Sequence, residues 1–237
     1  MLFCLLAYPG SSPAAPLRQV DLELVLAIDA SGSVNDAEFA LQMGGIAAAF
    51  RHPEVHAAIA DGAYGAIAVA IEVWAEASLP KDVSDWHLID SPENAAAFAA
   101  LAEGFPRRPI GGTGIGRAIV IAVDLILRNR YEAIRRVIDI SGDGKETTTR
   151  DWSIVPHLAR VKAERYGVTI NGLAILSDDP DLEVYYRRNV ITGSGAFVVS
   201  AANFEDFSSA MRRKLVREIR YRPKLSLRPR AGRPSRQ

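Results

Sequence analysis

Cysteine is nearly absent. The 237 residues contain only Cys4, so no internal disulfide and no cysteine-based zinc site can form, and a cysteine-poor chain fits either side of a membrane. Histidine is scarce as well, with four residues, and none of them is assigned a role. Neither sign of charge is in excess. Lys plus Arg and Asp plus Glu are 28 each, so no global field draws the chain to nucleic acid or to an anionic membrane, and any charge effect has to be local. An apolar run able to span a bilayer is missing at the start, where Leu2 to Ala7 is far too short. Small residues and prolines follow it, as at the end of a secretory signal, but a basic n-region does not precede it. Residues 1–19 are accordingly expected to be a truncated signal segment. The expected location is then periplasmic or secreted, and cytoplasmic if the segment is no signal. At the other end, residues 222–237 carry six basic residues, three prolines and no acid, and are expected to be a disordered tail.

What is present begins with a 49% hydrophobic composition, enough for a full core in one domain over residues 20–221. The organising stretch is VDLELVLAIDASGS, Val20 to Ser33. Leu24 to Ile28 is too continuously apolar for a strand with one wet face, and it suits the central strand of a parallel sheet covered by helices on both sides. The run ends at Asp29 and meets Ser31, Gly32 and Ser33. Asn35 or Asp36 can then cap a helix bearing Phe39, Met43, Ile46 and Phe50 at helical spacing. Further strands are expected at 56–59, 66–75 and 86–89, the first two joined at Asp61-Gly62 and all three forming a hairpin-like edge. A helix from Ser91-Pro92-Glu93 to Gly104 follows, then the glycine-rich loop around Thr113 and a helix striped by Ile115, Ile119, Ala122 and Ile126. The strand Arg135 to Ile140 ends in Ser141-Gly142-Asp143-Gly144. Helix 152–166, strand 168–176, a short helix near 182–190, strand 196–200 and helix 204–220 complete an alternating pattern, which implies an α/β fold with a mostly parallel central sheet flanked by helices on both faces.

Ligands of open α/β sheets bind outside the carboxyl ends of the strands, near the point where strand order reverses. Asp29 and Asp143 both stand at such ends, and Thr113 precedes a helix, so one sheet edge can collect two carboxylates and the hydroxyls of Ser31, Ser33 and Thr113. An all-oxygen set selects Mg²⁺, Mn²⁺ or Ca²⁺ over zinc or copper. With two anionic groups the cation would keep waters or accept an outside ligand.

Asp29-Ala30-Ser31-Gly32-Ser33 resembles the D-x-S-x-S signature of von Willebrand factor A domains, and Thr113 and Asp143-Gly144 resemble the later threonine and aspartate of their metal-ion-dependent adhesion site. VIDISGDG, TINGLAI, YYRRNVITGSGAFV and DFSSAMRRKLVREI are further similar to a bacterial group of uncharacterised A-domain proteins thought to be exported. The resemblance spans roughly Asp21 to Ile219. It implies a Rossmann-like A domain in which Ser31, Ser33 and Thr113 coordinate Mg²⁺, with Asp29 and Asp143 coordinating directly or through water. It also implies a protein partner whose acidic side chain completes the shell.

Duller readings stand beside these. Asp29 and Ser31 could cap the helix or tie down the loop, Thr113 could be a plain helix cap, Asp139 fits a structural acid, and Trp74, Trp86 and Trp152 fit packing roles. Among enzymes, GGTGIGRA lacks the G-x-G-x-x-G spacing of a dinucleotide loop. The alternative function is a Mg²⁺-dependent phosphatase with Asp29 as nucleophile, although Ser31 stands where such enzymes usually carry a second acid, and no lysine is clearly placed to clamp phosphate. Since both enzyme readings are weak, a binding module is expected over an enzyme. Nucleic-acid binding through the basic tail rests on charge alone and is not expected.

Overall fold

The apolar run before Asp29 forms the centre of the sheet. In the computed structural model, which describes residues 17–108, 110–147 and 154–222, β1 spans Arg18–Asp29, with every residue from Val20 onward buried. It lies between β2 (Ile67–Trp74) and β5 (Tyr131–Gly142), both parallel to it, with Leu24 opposite Val69 on one side and Val137 on the other. Beyond β5 lie β6 (Val168–Ile175) and β7 (Val198–Ala201), also parallel. Short β3 (Asp82–Val83) and β4 (His87–Ile89) pair antiparallel with β2. Among the described residues the sheet has seven strands in the order β3-β2-β1-β5-β6-β7, with β4 also on β2. The order reverses at β1, as the alternation of elements requires of a doubly wound sheet.

Side-chain alternation along β1 divides the core. Leu22, Leu24, Leu26 and Ile28 pack with α1 (Asp36–Phe50), α3 (Pro92–Glu103) and α7 (Phe207–Arg220). Val25 and Ala27 face α4 (Ile115–Leu127) and α5 (Pro156–Arg165). Both faces are therefore covered, which is why the strand reads as a continuous apolar run. The cap of α1 is Asn35: its Oδ1 accepts from the Ala37 and Glu38 amides at 2.9 and 3.0 Å, while Glu38 Oε2 accepts from the Asn35 amide at 2.8 Å. Such a capping box contributes about 1 kcal/mol to the helix start.

Several boundaries differ from expectation. Residues 56–59, expected as a strand, lie in helix α2 (Pro53–Ala60), where Pro53 occupies the first turn, His52 Nδ1 accepts from the Glu54 amide, and Val55, Ala58 and Ile59 are buried at helical spacing. The hairpin-like edge exists, but β2, β3 and β4 build it. β5 starts at Tyr131, four residues early, because those residues pair with the exposed beginning of β1. The short helix begins as α6 (Leu182–Tyr185) and widens into a π-turn over Tyr186–Val190. The start of the helix expected at 152–166, the residues 1–16 of the signal segment and the tail from 223 onward lie outside the described residues. No helix among the described residues is long and apolar enough to cross a membrane.

Candidate metal centre

Because β1 and β5 are parallel neighbours, with Ile28 opposite Ser141, both end on the same edge, and the loops carrying Asp29 and Asp143 meet there. Asp29 is fully buried. Its Oδ1 accepts from the Ser31 amide at 2.7 Å and its backbone carbonyl from Gln42 Nε2 at 3.0 Å. Its Oδ2 has no hydrogen-bond partner among the described residues. A Cβ on Gly142 would lie 2.6 Å from that oxygen, so glycine leaves the space that Oδ2 occupies. Ser31 Oγ lies 3.2 Å from Ser33 Oγ, and Ser33 Oγ donates to Asp143 Oδ1 at 2.8 Å.

Backbone contacts join the glycine-rich loop to this cluster. The Gly32 amide donates to the Gly111 carbonyl at 2.7 Å, and a Cβ at Gly32 would stand 3.3 Å from that oxygen, so glycine permits the approach. The Thr113 amide donates to Thr147 Oγ1 at 2.7 Å, and the Thr147 amide returns to the Thr113 carbonyl at 2.9 Å. Thr113 Oγ1 would be 3.5 Å from a Cβ on Gly144, beside Asp143. All five residues singled out by sequence thus converge on one edge. Asn35 caps α1, so Asp29 and Ser31 do not, although Asp29 does tie down its loop. The cap position of α4 is Gly114, with Glu146 Oε2 accepting from the Gly116 amide at 2.9 Å, so Thr113 is no plain cap.

Electrostatically the cluster is short of positive charge. Burial, and then the neighbouring Asp143, push Asp29 up to about 7. Burial also raises Asp143, against the hydrogen bond from Ser33, and Asp178 adds to the rise. The fully buried Tyr186 phenol beneath them has no hydrogen-bond partner among the described residues and is raised by burial and by both aspartates. Among the described residues no lysine or arginine pairs with Asp29 or Asp143, and no group of three or more His, Cys, Asp or Glu could hold a metal alone. The orphaned Oδ2 and the three hydroxyls fit a hard cation whose ligands are all oxygen. Asp29, Ser31, Ser33, Thr113 and Asp143 are the residues that could hold it. A cavity of about 420 Å³ opens over the cluster, lined by Ser33, Thr113 and Asp143 with Lys145, Asp178 and Asp179 at its rim.

Arg107 gave no sequence signal beyond a basic pair before the glycines. Its guanidinium, largely buried, reaches Asp36 at 2.6 Å and the carbonyls of Ser31 and Val34, and so staples the loop of Asp29, Ser31 and Ser33. Lys145 also escaped notice; its Nζ lies 2.7 Å from Asp179. Asp139 is the structural acid expected. Its Oδ2 pairs at 2.5 Å with Lys214 Nζ, which also engages Glu218, all three being buried.

Residues 19–223 match a family described as "Protein of unknown function (DUF1194)". A search of curated proteins finds no match. Among solved structures, the chain is similar to the mussel byssus proximal thread matrix protein 1 with a zinc-occupied MIDAS motif, at 16% identity and TM-score 0.57, covering 84% of this chain and 46% of that one. It is similar to a von Willebrand factor type A protein from Catenulispora acidiphila at 17% identity and TM-score 0.58, covering 84% and 43%. The vWF domain of the type V pili tip protein Mfa5 from Porphyromonas gingivalis aligns at 12% identity and TM-score 0.55, covering 87% and 98%. The chain therefore spans less than half the length of the first two of these and nearly the whole of the third. At these identities the likeness shows the fold, which is that of von Willebrand factor A domains.

Proposed function

The chain belongs to the DUF1194 family, and we propose that it is a divalent-cation-dependent protein-binding module in which an acidic side chain of a partner protein completes the metal's shell. The observation that carries this is the convergence of Asp29, Ser31, Ser33, Thr113 and Asp143, with a buried carboxylate oxygen that nothing in the described chain satisfies. A bound Mg²⁺, Mn²⁺ or Ca²⁺ would supply Lewis acidity and an open coordination position. The residues do the rest: Asp29 and Asp143 roughly balance a divalent charge, the hydroxyls add neutral oxygens, and the cavity admits an outside carboxylate.

The hydrolase reading fits less well. Asp29 is wholly buried and spends one oxygen on the Ser31 amide, whereas a nucleophile has to reach the substrate. Lys145, which lines the cavity, is held by Asp179. Export belongs to the same proposal, with residues 1–19 as its signal segment and 20–221 as the module; the family match over 19–223 supports that extent.

The test measures Mn²⁺ binding by calorimetry and metal-dependent capture of partners for wild type, Asp29→Ala and Thr113→Ala. Both substitutions are expected to abolish metal-dependent capture while the circular dichroism stays native. Equal capture in EDTA refutes the metal's role. Metal-dependent hydrolysis of a generic phosphate ester, lost in Asp29→Asn, replaces this reading with the phosphatase.

A further inference from the structure

The rim of the metal cavity is built from charges that do not cancel. Four loops line it, and the one after β6 contributes Asp178 and Asp179. Lys145, the lysine that lines it, is committed to Asp179 at 2.7 Å. Asp36 on the first turn of α1 is likewise committed, to Arg107, and Glu38 to its capping box. Asp178 is different. It is exposed, it lines the cavity, and it has no hydrogen-bond or ion-pair partner among the described residues. It also lies close enough to Asp143 to disfavour the charged form of that carboxyl.

A carboxylate entering this cavity alone would gain the metal and meet Asp178 as a like charge. A ligand that carries a cationic group beside its carboxylate meets an opposite charge there instead, and opposite charges arranged in this way set specificity more than raw affinity. From this charge pattern we propose that the site recognises a zwitterionic element of a partner protein: an Asp or Glu with a Lys or Arg next to it, the acid directed to the metal and the base to Asp178. The inference rests on the metal-dependent binding reading above and narrows its partner class. Lys145 stays with Asp179 and does not compete, so Asp178 is the residue that discriminates. The second, independent mark of a ligand site is the fully buried Asp29, whose Oδ2 has no partner.

Synthetic peptides bearing a single Asp or Glu flanked by Lys, by Ala or by Glu are titrated against the full-length chain in saturating Mn²⁺, for wild type, Asp178→Asn and Asp178→Lys. Wild type is expected to prefer Lys-flanked over Ala-flanked over Glu-flanked peptides, by roughly two- to fivefold per step as for exposed charge pairs, and less at high salt. Asp178→Asn levels the order and Asp178→Lys inverts it, a crossover that a merely structural role for Asp178 would not produce. Calorimetry with Mn²⁺ alone is expected to show that both variants still bind the metal. Mn²⁺-dependent binding without any flanking preference, or with an order unchanged in Asp178→Lys, overturns this inference and leaves the metal reading standing. Absence of Mn²⁺-dependent binding for every acid-bearing peptide overturns both.

Discussion

Neutralising Asp29 separates the electrostatics of the site from its packing. Burial and Asp143 push its carboxyl from the ordinary 3.8 to about 7 in the folded chain. Once unfolded it returns to about 3.9. Between about pH 4 and pH 7 the folded state therefore holds a proton that the unfolded state has released. Stability of the metal-free protein has to fall as pH rises through that window and to level off above 7. The full displacement corresponds to at most about 4 kcal/mol, and relaxation with water entry lowers it. A divalent cation acts in the opposite sense. It competes with the proton, so its stabilisation grows with pH, reaching about 2.7 kcal/mol when its concentration is 100 times its Kd.

Urea unfolding at pH 5 and pH 8, in EDTA and in excess Mg²⁺, reads both effects, with Asp29→Asn as the isosteric neutral variant. In EDTA the wild type is expected to lose at least about 1 kcal/mol more than Asp29→Asn on going from pH 5 to pH 8. Mg²⁺ restores the wild type at pH 8 and leaves the variant unmoved. Other buried acids, Glu72 and Asp139 among them, also carry raised values and add their own slopes. The difference between the two proteins isolates Asp29. An identical pH slope in EDTA, or equal stabilisation of both by Mg²⁺, refutes the reasoning.

Gly142→Ala would set a methyl 2.6 Å from Asp29 Oδ2; it is expected to abolish Mn²⁺ binding in calorimetry while keeping a cooperative melt. Arg107→Ala frees the Ser31 to Asp36 loop and is expected to weaken Mn²⁺ binding about tenfold, since ligand positioning of this kind typically moves affinity by 10- to 100-fold. Arg107→Lys, which has no fork to bridge Asp36 and the Val34 carbonyl, recovers only part of that loss. Lys214→Met leaves Asp139 and Glu218 buried without their cation and is expected to cost about 3–5 kcal/mol in chemical denaturation, with metal binding per folded molecule unchanged.

The elements legible in the sequence were those with a local cause. The central strand showed itself because a run buried on both faces has no polar alternation, and α3 because Pro92 and Glu93 follow a capping Ser91. The five candidate residues could be singled out because each sits where an apolar run or glycine loop stops abruptly. Residues 56–59 misled because His56, Ala57, Ala58 and Ile59 carry no helix period within four positions; the deciding signals, Pro53 and His52, lie before them. Arg107 and Lys214 were not legible at all. Their partners are Asp36, 71 residues away, and Asp139 across the core, and no local pattern encodes such pairings.

Those distant pairings also argue for what the site expects. Asp139 and Asp143 lie four positions apart on and just past β5, and both are buried carboxylates with a second acid close by, Glu218 for one and Asp29 for the other. At Asp139 the chain supplies the counter-charge itself, bringing Lys214 from α7 to within 2.5 Å. At Asp143 it supplies hydroxyls, glycines and an open cavity, and among the described residues no lysine or arginine pairs with it. Uncompensated buried charge costs several kcal/mol, and a fold that can place a lysine beside one acid pair is under no geometric bar to doing so at the other. What distinguishes the two is access: Lys214 closes its pair off from solvent, whereas the edge of β1 and β5 stays open. An acid pair left open to solvent and lined with neutral oxygens is suited to a counter-charge that arrives from solution, and a cation held only by these residues has room left for a ligand from outside.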